Sequence, residues 1–167
     1  MTLEEQNKRL ADFAKLVETQ LPVLLLFARQ WRHDSAEDIV QEAFIRLLNE
    51  EECSENVTPW LFTVVRNQSN NHLRNEKRRR NREISSAESK NRWFAQNEKS
   101  GDFDEKTEKL IEQLERLPFE NREVIVAKIW GNLTFSQIAA MTGSSTSSVH
   151  RNYQAGLAIL QKRLEKS

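Results

Sequence analysis

Asn132-Leu-Thr-Phe-Ser-Gln-Ile-Ala-Ala-Met-Thr-Gly-Ser-Ser-Thr-Ser-Ser-Val-His-Arg-Asn-Tyr153 is the stretch on which the reading of this chain turns. Ile138, Ala139 and Met141 give one short apolar helix, and Gly143 ends it where positive φ is easily accommodated. The Ser/Thr cluster that follows caps a second helix. Val149, Tyr153, Leu157 and Leu160 fall at i, i+4, i+8 and i+11 of that helix and turn inward, which leaves His150, Arg151 and Asn152 at its exposed N-terminal end. The pattern is that of a helix-turn-helix, whose second helix enters the major groove by that end. A plain helical hairpin shares the same pattern.

Outward from this stretch the chain stays helical. Its 167 residues hold only four Gly and three Pro, and runs of Leu, Glu, Gln, Lys, Arg and Ala favour an all-α protein of one ordinary domain or two small ones. Leu10, Phe13, Leu16 and Val17 form one helical stripe, and a second helix is expected from about Pro22 through Trp31. Ser35 is placed to cap a third helix, with Ile39, Val40, Ala43, Phe44, Leu47 and Leu48 as its buried face. Thr58 and Pro59 suit the start of a long helix reaching to about Arg82. From Ser85 to Asp104 the periodicity is lost and a linker is expected. Helical pattern returns at Thr107, breaks at Pro118 and resumes near Asn121.

The single Cys53 excludes an internal disulfide framework, and the longest apolar run, Val23 to Ala28, is too short to cross a bilayer. A cytoplasmic location is the expectation, without membrane insertion and without a cofactor. The formal net charge is zero, but it is partitioned. Residues 1–57 hold 6 Lys/Arg against 12 Asp/Glu, residues 58–92 hold 9 against 3, and residues 93–167 hold 10 against 10. One acidic stretch should therefore avoid phosphate while the basic one approaches it.

Two further constellations carry chemistry. Asp38, Gln41 and Glu42 stand at i, i+3 and i+4, forming an acidic patch suited to Arg and Lys of a partner, although such charges also serve as a solvated helix face. Trp60, Asn67, Asn71, Arg74 and Arg78 follow i, i+7, i+11, i+14 and i+18, placing an aromatic, two amides and two guanidiniums on one stripe that suits unstacked bases and their backbone. Trp60 also suits a core position.

Taken in order, these segments resemble a known family. An Ala-Glu-Asp-x-x-Gln-Glu-x-Phe helix (Ala36 to Phe44), a Trp-Leu-x-x-x-x-Arg-Asn helix (from Trp60) ending in a basic run, a polar linker, Leu-Glu-Arg-Leu-Pro (Leu114 to Pro118) and a terminal helix-turn-helix are similar to the extracytoplasmic-function sigma factors, bacterial RNA polymerase specificity subunits. The resemblance implies a sigma region 2-like domain over residues 1–84, a flexible linker over 85–104 and a sigma region 4-like domain over 105–167. It implies no enzyme activity but two partners, RNA polymerase core and promoter DNA. Asp38, Gln41 and Glu42 become the core contacts. Trp60, Asn67 and Asn71 lie at the minus-10 strands, with Arg66, Arg74, Lys77, Arg78, Arg79 and Arg80 on phosphate. The loop Glu51 to Val57 is where the family captures a flipped base. Ser147, Ser148, His150, Arg151 and Asn152 face the minus-35 groove. Control by an anti-sigma protein is a family habit, and no residue here identifies such a partner.

The chain departs from the family at Gln137, where Glu is common, at Asn71, where Asp is common, and at Gln154-Ala-Gly156, where basic residues are frequent. Two other readings compete. A regulator that never joins polymerase needs only the helix-turn-helix and leaves the Asp38 patch and the Trp60 to Arg82 helix without a task. A metal-dependent nuclease built on Asp34, Glu37, Asp38 and Glu42 lacks a second acidic motif, and His33, His72 and His150 are scattered.

Overall fold

A computed structural model describes residues 2–31, 34–50, 56–82 and 105–166, except the side chains of residues 107, 108 and 111. The Ser85 to Asp104 stretch with Trp93 and Phe94, His33 and Cys53, and the 51–55 part of the acidic loop lie outside the described residues.

Helix α1 spans Leu3–Ala28 and runs on into a 3-10 turn at Arg29–Trp31. Its start is a capping box: the Glu5 backbone N–H donates to Thr2 Oγ1 at 3.3 Å, and the Thr2 N–H donates to Glu5 Oε2 at 2.7 Å. The expected break at Pro22 does not occur; Pro22 lies inside α1, on its exposed side. Continuing the helix keeps Val17 and Leu24 seven residues apart on one stripe that leads to Phe27 and Ala28, and that burial outweighs the backbone hydrogen bond lost at the proline.

Helix α2, Ala36–Asn49, buries Ile39, Val40, Ala43, Phe44 and Leu47 as its periodicity requires. Leu48, expected in that face, is instead 53% exposed, one position round the helix from buried Leu47. Leu10 of α1, also expected in the core, is 62% exposed. Ser35 precedes α2 without a side-chain capping bond; its hydroxyl lies 3.2 Å from His72 Nε2. Helix α3, Val57–Arg82, begins two residues before Pro59, so Thr58 lies inside it. The first three helices pack on one another as a bundle.

Helix α4, Glu105–Glu115, is followed by α5, Phe119–Ile125, with Pro118 at the break that its missing N–H imposes. The backbone then widens into a π turn at Val126–Trp130, closed by Gly131 N–H donating to the Val126 carbonyl at 3.1 Å. Helices α6, Phe135–Thr142, and α7, Thr146–Leu164, complete this unit. Helix α7 packs along α5, where Gly156 is buried: a Cβ there would stand 2.5 Å from Ile125 Cδ1 and 3.2 Å from Asn121 Cβ. The close helix contact explains why this position carries no basic residue.

Both helical units are therefore present, and they touch. Trp31 stacks edge-on against Phe119 with ring centroids 5.0 Å apart, and the tip of Phe62 fills the space beside Gly131, where a Cβ would come within 2.6 Å of it. The buried apolar residues of the two units form one continuous cluster. Gly156→Ala is expected to destabilise the chain by about 1–3 kcal/mol through overpacking, more than its gain in helix propensity returns. Urea unfolding of the two proteins measures it.

Candidate nucleic-acid interface

Helix α3 changes character along its length. Leu61, Phe62, Val65 and Ser69 bury its first half, and beyond them the helix is exposed and basic. Asn67, Asn71, Arg74, Lys77, Arg78, Arg79 and Arg80 are exposed, and Trp60 is half-buried at the head of the same stripe. The basic residues of the last turn also meet the negative end of the helix dipole. The helix is fixed from behind by Trp31, whose indole N–H donates to Asn70 Oδ1 at 2.7 Å. His72 Nε2 sits between Ser35 Oγ, 3.2 Å away, and Glu76 Oε1, 3.3 Å away. Asn70 and His72 are not on the stripe read from the sequence; their roles arise from partners 39 and 37 residues away in the chain.

Arg66 lies apart from the other cations. It is half-buried, and its Nε donates to Glu123 Oε1 of α5 at 2.5 Å. Glu123 is 4% exposed. Its pKa is raised above the ordinary carboxylate value, because burial penalises the anion more than the hydrogen bond and charge of Arg66 favour it; Glu120 nearby adds to the rise.

On α2, Asp38, Gln41 and Glu42 are all exposed on one face, with Arg46 Nε donating to Glu42 Oε1 at 3.2 Å. Exposed Ile45 continues that face at the next turn. Leu48, with Leu10, Phe13, Leu16 and Val57, lines an open groove of about 630 Å³ between α1 and α2.

The C-terminal unit holds the helix-turn-helix. Thr134 and Gln137 form a reciprocal capping box on α6: Gln137 N–H donates to Thr134 Oγ1 at 3.1 Å and Thr134 N–H to Gln137 Oε1 at 2.9 Å. Gln137 thus does what Glu does at this position in a capping box. Gly143 closes the helix at φ 70°, and Ser145 Oγ accepts from Ser148 N–H at 3.1 Å to start α7. Val149 and Leu160 are buried, whereas Tyr153 and Leu157 are half-buried. His150 packs edge-on against Phe135 at 5.2 Å, and the Lys128 ammonium lies 4.9 Å over the same ring. Phe135, Thr146, Ser147, His150 and Arg151 line a shallow depression at the start of α7. Ser148 is half-buried and its hydroxyl accepts from Arg151 Nη2 at 3.1 Å. Asn152 is half-buried rather than exposed, and its carbonyl accepts from Asn121 Nδ2 at 2.8 Å. Of the five residues expected at the groove, Ser147, His150 and Arg151 are exposed.

Two family models match these two units: sigma-70 region 2 over residues 16–79 and sigma-70 region 4 over residues 107–160. The chain belongs to the extracytoplasmic-function sigma factors. Relatives of this sigma factor include RNA polymerase sigma factor SigV of Bacillus subtilis (strain 168), 25% identical over 145 residues covering 85% of this chain and 83% of SigV. RNA polymerase sigma factor YlaC of the same organism is 25% identical over 146 residues, covering 85% and 84%. Among solved structures, sigma factor RpoE in complex with the anti-sigma factor NepR from Bartonella quintana matches with a TM-score of 0.67 at 23% identity, over 92% of this chain and 97% of that one. CnrH in complex with the cytosolic domain of CnrY matches with a TM-score of 0.57 at 21% identity, over 93% and 88%. The sigma factor binds RNA polymerase core and promoter DNA and directs transcription initiation. A regulator that never joins polymerase is ruled out by the region 2 match, which covers the bundle that such a regulator leaves idle. Among the described residues no helix is long and apolar enough to cross a membrane.

The raised pKa of Glu123 fixes the sign of a pH effect in this sigma factor. The folded chain takes up the Glu123 proton at higher pH than the unfolded chain, so wild type is expected to gain stability relative to Glu123→Gln as pH falls from neutral toward 4.5, with the gain complete below that value. Denaturant unfolding of both proteins across this range checks it; a constant difference between them refutes it.

Proposed function

We propose that residues 1–84 and 105–167 divide the work of promoter recognition, with 85–104 joining them, and that cytoplasmic core polymerase sets their spacing. Asp38, Gln41 and Glu42 engage core through their exposed face on α2. Helix α3 lies along the opened minus-10 region: Trp60, Asn67 and Asn71 meet bases, and Arg66, Arg74, Lys77, Arg78, Arg79 and Arg80 meet phosphates. Ser147, Ser148, His150, Arg151 and Asn152 form the minus-35 reader, with the backbone of Asn152 anchoring that helix to α5.

The observation that carries this reading is the unbroken exposed stripe of α3, where Asn67, Asn71, Arg74 and Arg78 share one face without a carboxylate among them. Amides and guanidiniums in that order serve both base edges and backbone, and base stacking contributes roughly 1–3 kcal/mol per base where an aromatic is available. Gln154 and Ala155, exposed on α7, offer no cation, so minus-35 affinity rests on few phosphate contacts and on DNA shape. Each reader is weak alone, and affinity comes from their linkage. The part of the chain matched to RpoE in its complex with an anti-sigma factor includes both units, which supports a protein inhibitor here as well.

The test is run-off transcription with purified bacterial core on pooled genomic promoters, beside direct core binding. Charge reversal at Asp38 and Glu42 is expected to weaken core binding by roughly 2–5 kcal/mol while the fold persists; unchanged binding overturns the assignment. Asn67→Ala is expected to reduce permanganate reactivity of unpaired thymines at the start site more than it reduces core binding. Equal loss of both would make Asn67 a structural residue.

A further inference from the structure

The seam between the two units has a chemistry unlike either core. Beside the Trp31–Phe119 and Phe62–Gly131 contacts it holds the Arg66–Glu123 pair, and Arg122 Nη2 donates across it to the Gln30 carbonyl at 3.3 Å. Gln30 itself is 2% exposed, and among the described residues its side-chain amide finds no hydrogen-bond partner on either atom. Closing the seam thus removes water from a carboxylate and an amide that water would satisfy if the units parted. A contact with buried polar groups of this kind is separable, because opening returns what closing took from solvent.

We propose that Arg66–Glu123 is an intramolecular latch: it fixes the register in which the two units close and withholds Arg66 from nucleic acid, with the Glu123 carboxylate occupying the guanidinium in place of a phosphate. The inference rests on the reading above that α3 lies along DNA. Geometry requires some such opening. Elements centred 10 and 35 positions upstream are separated by about 25 base pairs, roughly 85 Å of B-form axis. A compact chain of 167 residues has a radius of gyration of about 15 Å, so the closed form cannot reach both elements. Core binding and latch opening are then coupled, and free sigma is kept from stray DNA by its own carboxylate. The pair selects the closed register; the aromatic contacts supply the attraction.

The test uses the full chain with Cys53→Ser and reporter cysteines at exposed Asn49 and Ala158, read by distance measurements between attached spin labels. Glu123→Lys, which sets like charges face to face, is expected to lengthen and broaden the distance. Binding of a mixed-sequence pool of single-stranded DNA to the free protein should tighten by about three- to tenfold, with the salt dependence steeper by about one further phosphate contact. The added lysine contributes charge of its own, so the decisive quantity is the gain that disappears when Arg66→Gln is also present. The swapped pair, Arg66→Glu with Glu123→Arg, should restore the wild-type distance while DNA binding stays weak. This swap also decides the matter if Glu123→Lys loses helicity. An unchanged distance in a folded Glu123→Lys protein, or a swap that stays open, overturns the latch. Opening without an Arg66-dependent gain overturns the withholding of Arg66. Run-off transcription by Arg66→Gln alone then shows separately whether the DNA reading of α3 stands.

Discussion

Phe62 is the side chain on which the arrangement of this sigma factor depends. Its ring lies fully buried, 4.8 Å from Phe27 of α1 on one side and against Gly131 on the other. The same residue is therefore core to the first bundle and seam to the second unit. Since α3 is held there, and again by the Trp31–Asn70 hydrogen bond two turns further on, its basic half projects from a fixed root. A side chain on a loop would lack that support. Rigid placement matters because stacking and phosphate contacts are lost with small displacements, and a helix anchored at one end transmits its orientation to the other.

The charge partition along the chain acquires its meaning from this geometry. The acidic excess of residues 1–57 falls on α1, α2 and the residues after them, while the described cations of residues 58–92, Arg66 apart, lie where α3 leaves the bundle. One surface is suited to basic groups of a protein partner and repels phosphate; the other attracts phosphate. Zero net charge would say nothing of either. The separation gives the molecule an electrostatic orientation before contact, with phosphate drawn toward the basic half of α3 and away from the acidic α1 and α2.

Local rules made most of the elements legible. Gly143, Pro118 and Ser145 stand where the helix ends require a left-handed residue, a missing N–H and a capping hydroxyl, and the α2 stripe needed only its period. Pro22 misled because tertiary burial on both sides overrode a local breaker. Leu10 and Leu48 were placed inside by period alone, but a three-helix bundle this small has too little interior to cover every apolar position on its helices. The stripe of α3 was legible as a face, yet Arg66, one residue before Asn67, points elsewhere. Nothing near it in sequence announces Glu123, 57 residues away. His72 and Asn70 escaped for the same reason: their partners come from another helix, and a single sequence carries no record of such pairs.

The contrast between cores and seam bears on how the protein works. Inside the second unit, Ile125, Val126, Leu133, Ile138 and Val149 pack as apolar groups only, and separating them exposes surface that water disfavours. At the seam, attraction between aromatic rings is offset by the desolvation of Glu123 and of the Gln30 amide. The two terms oppose one another there and add in the units. Parting the units therefore costs less per area exposed than opening either core. Had the seam been as apolar as the cores, parting the units would cost the full exposure of that surface. With Glu123 and Gln30 in place, rehydration of a carboxylate and an amide offsets part of that cost.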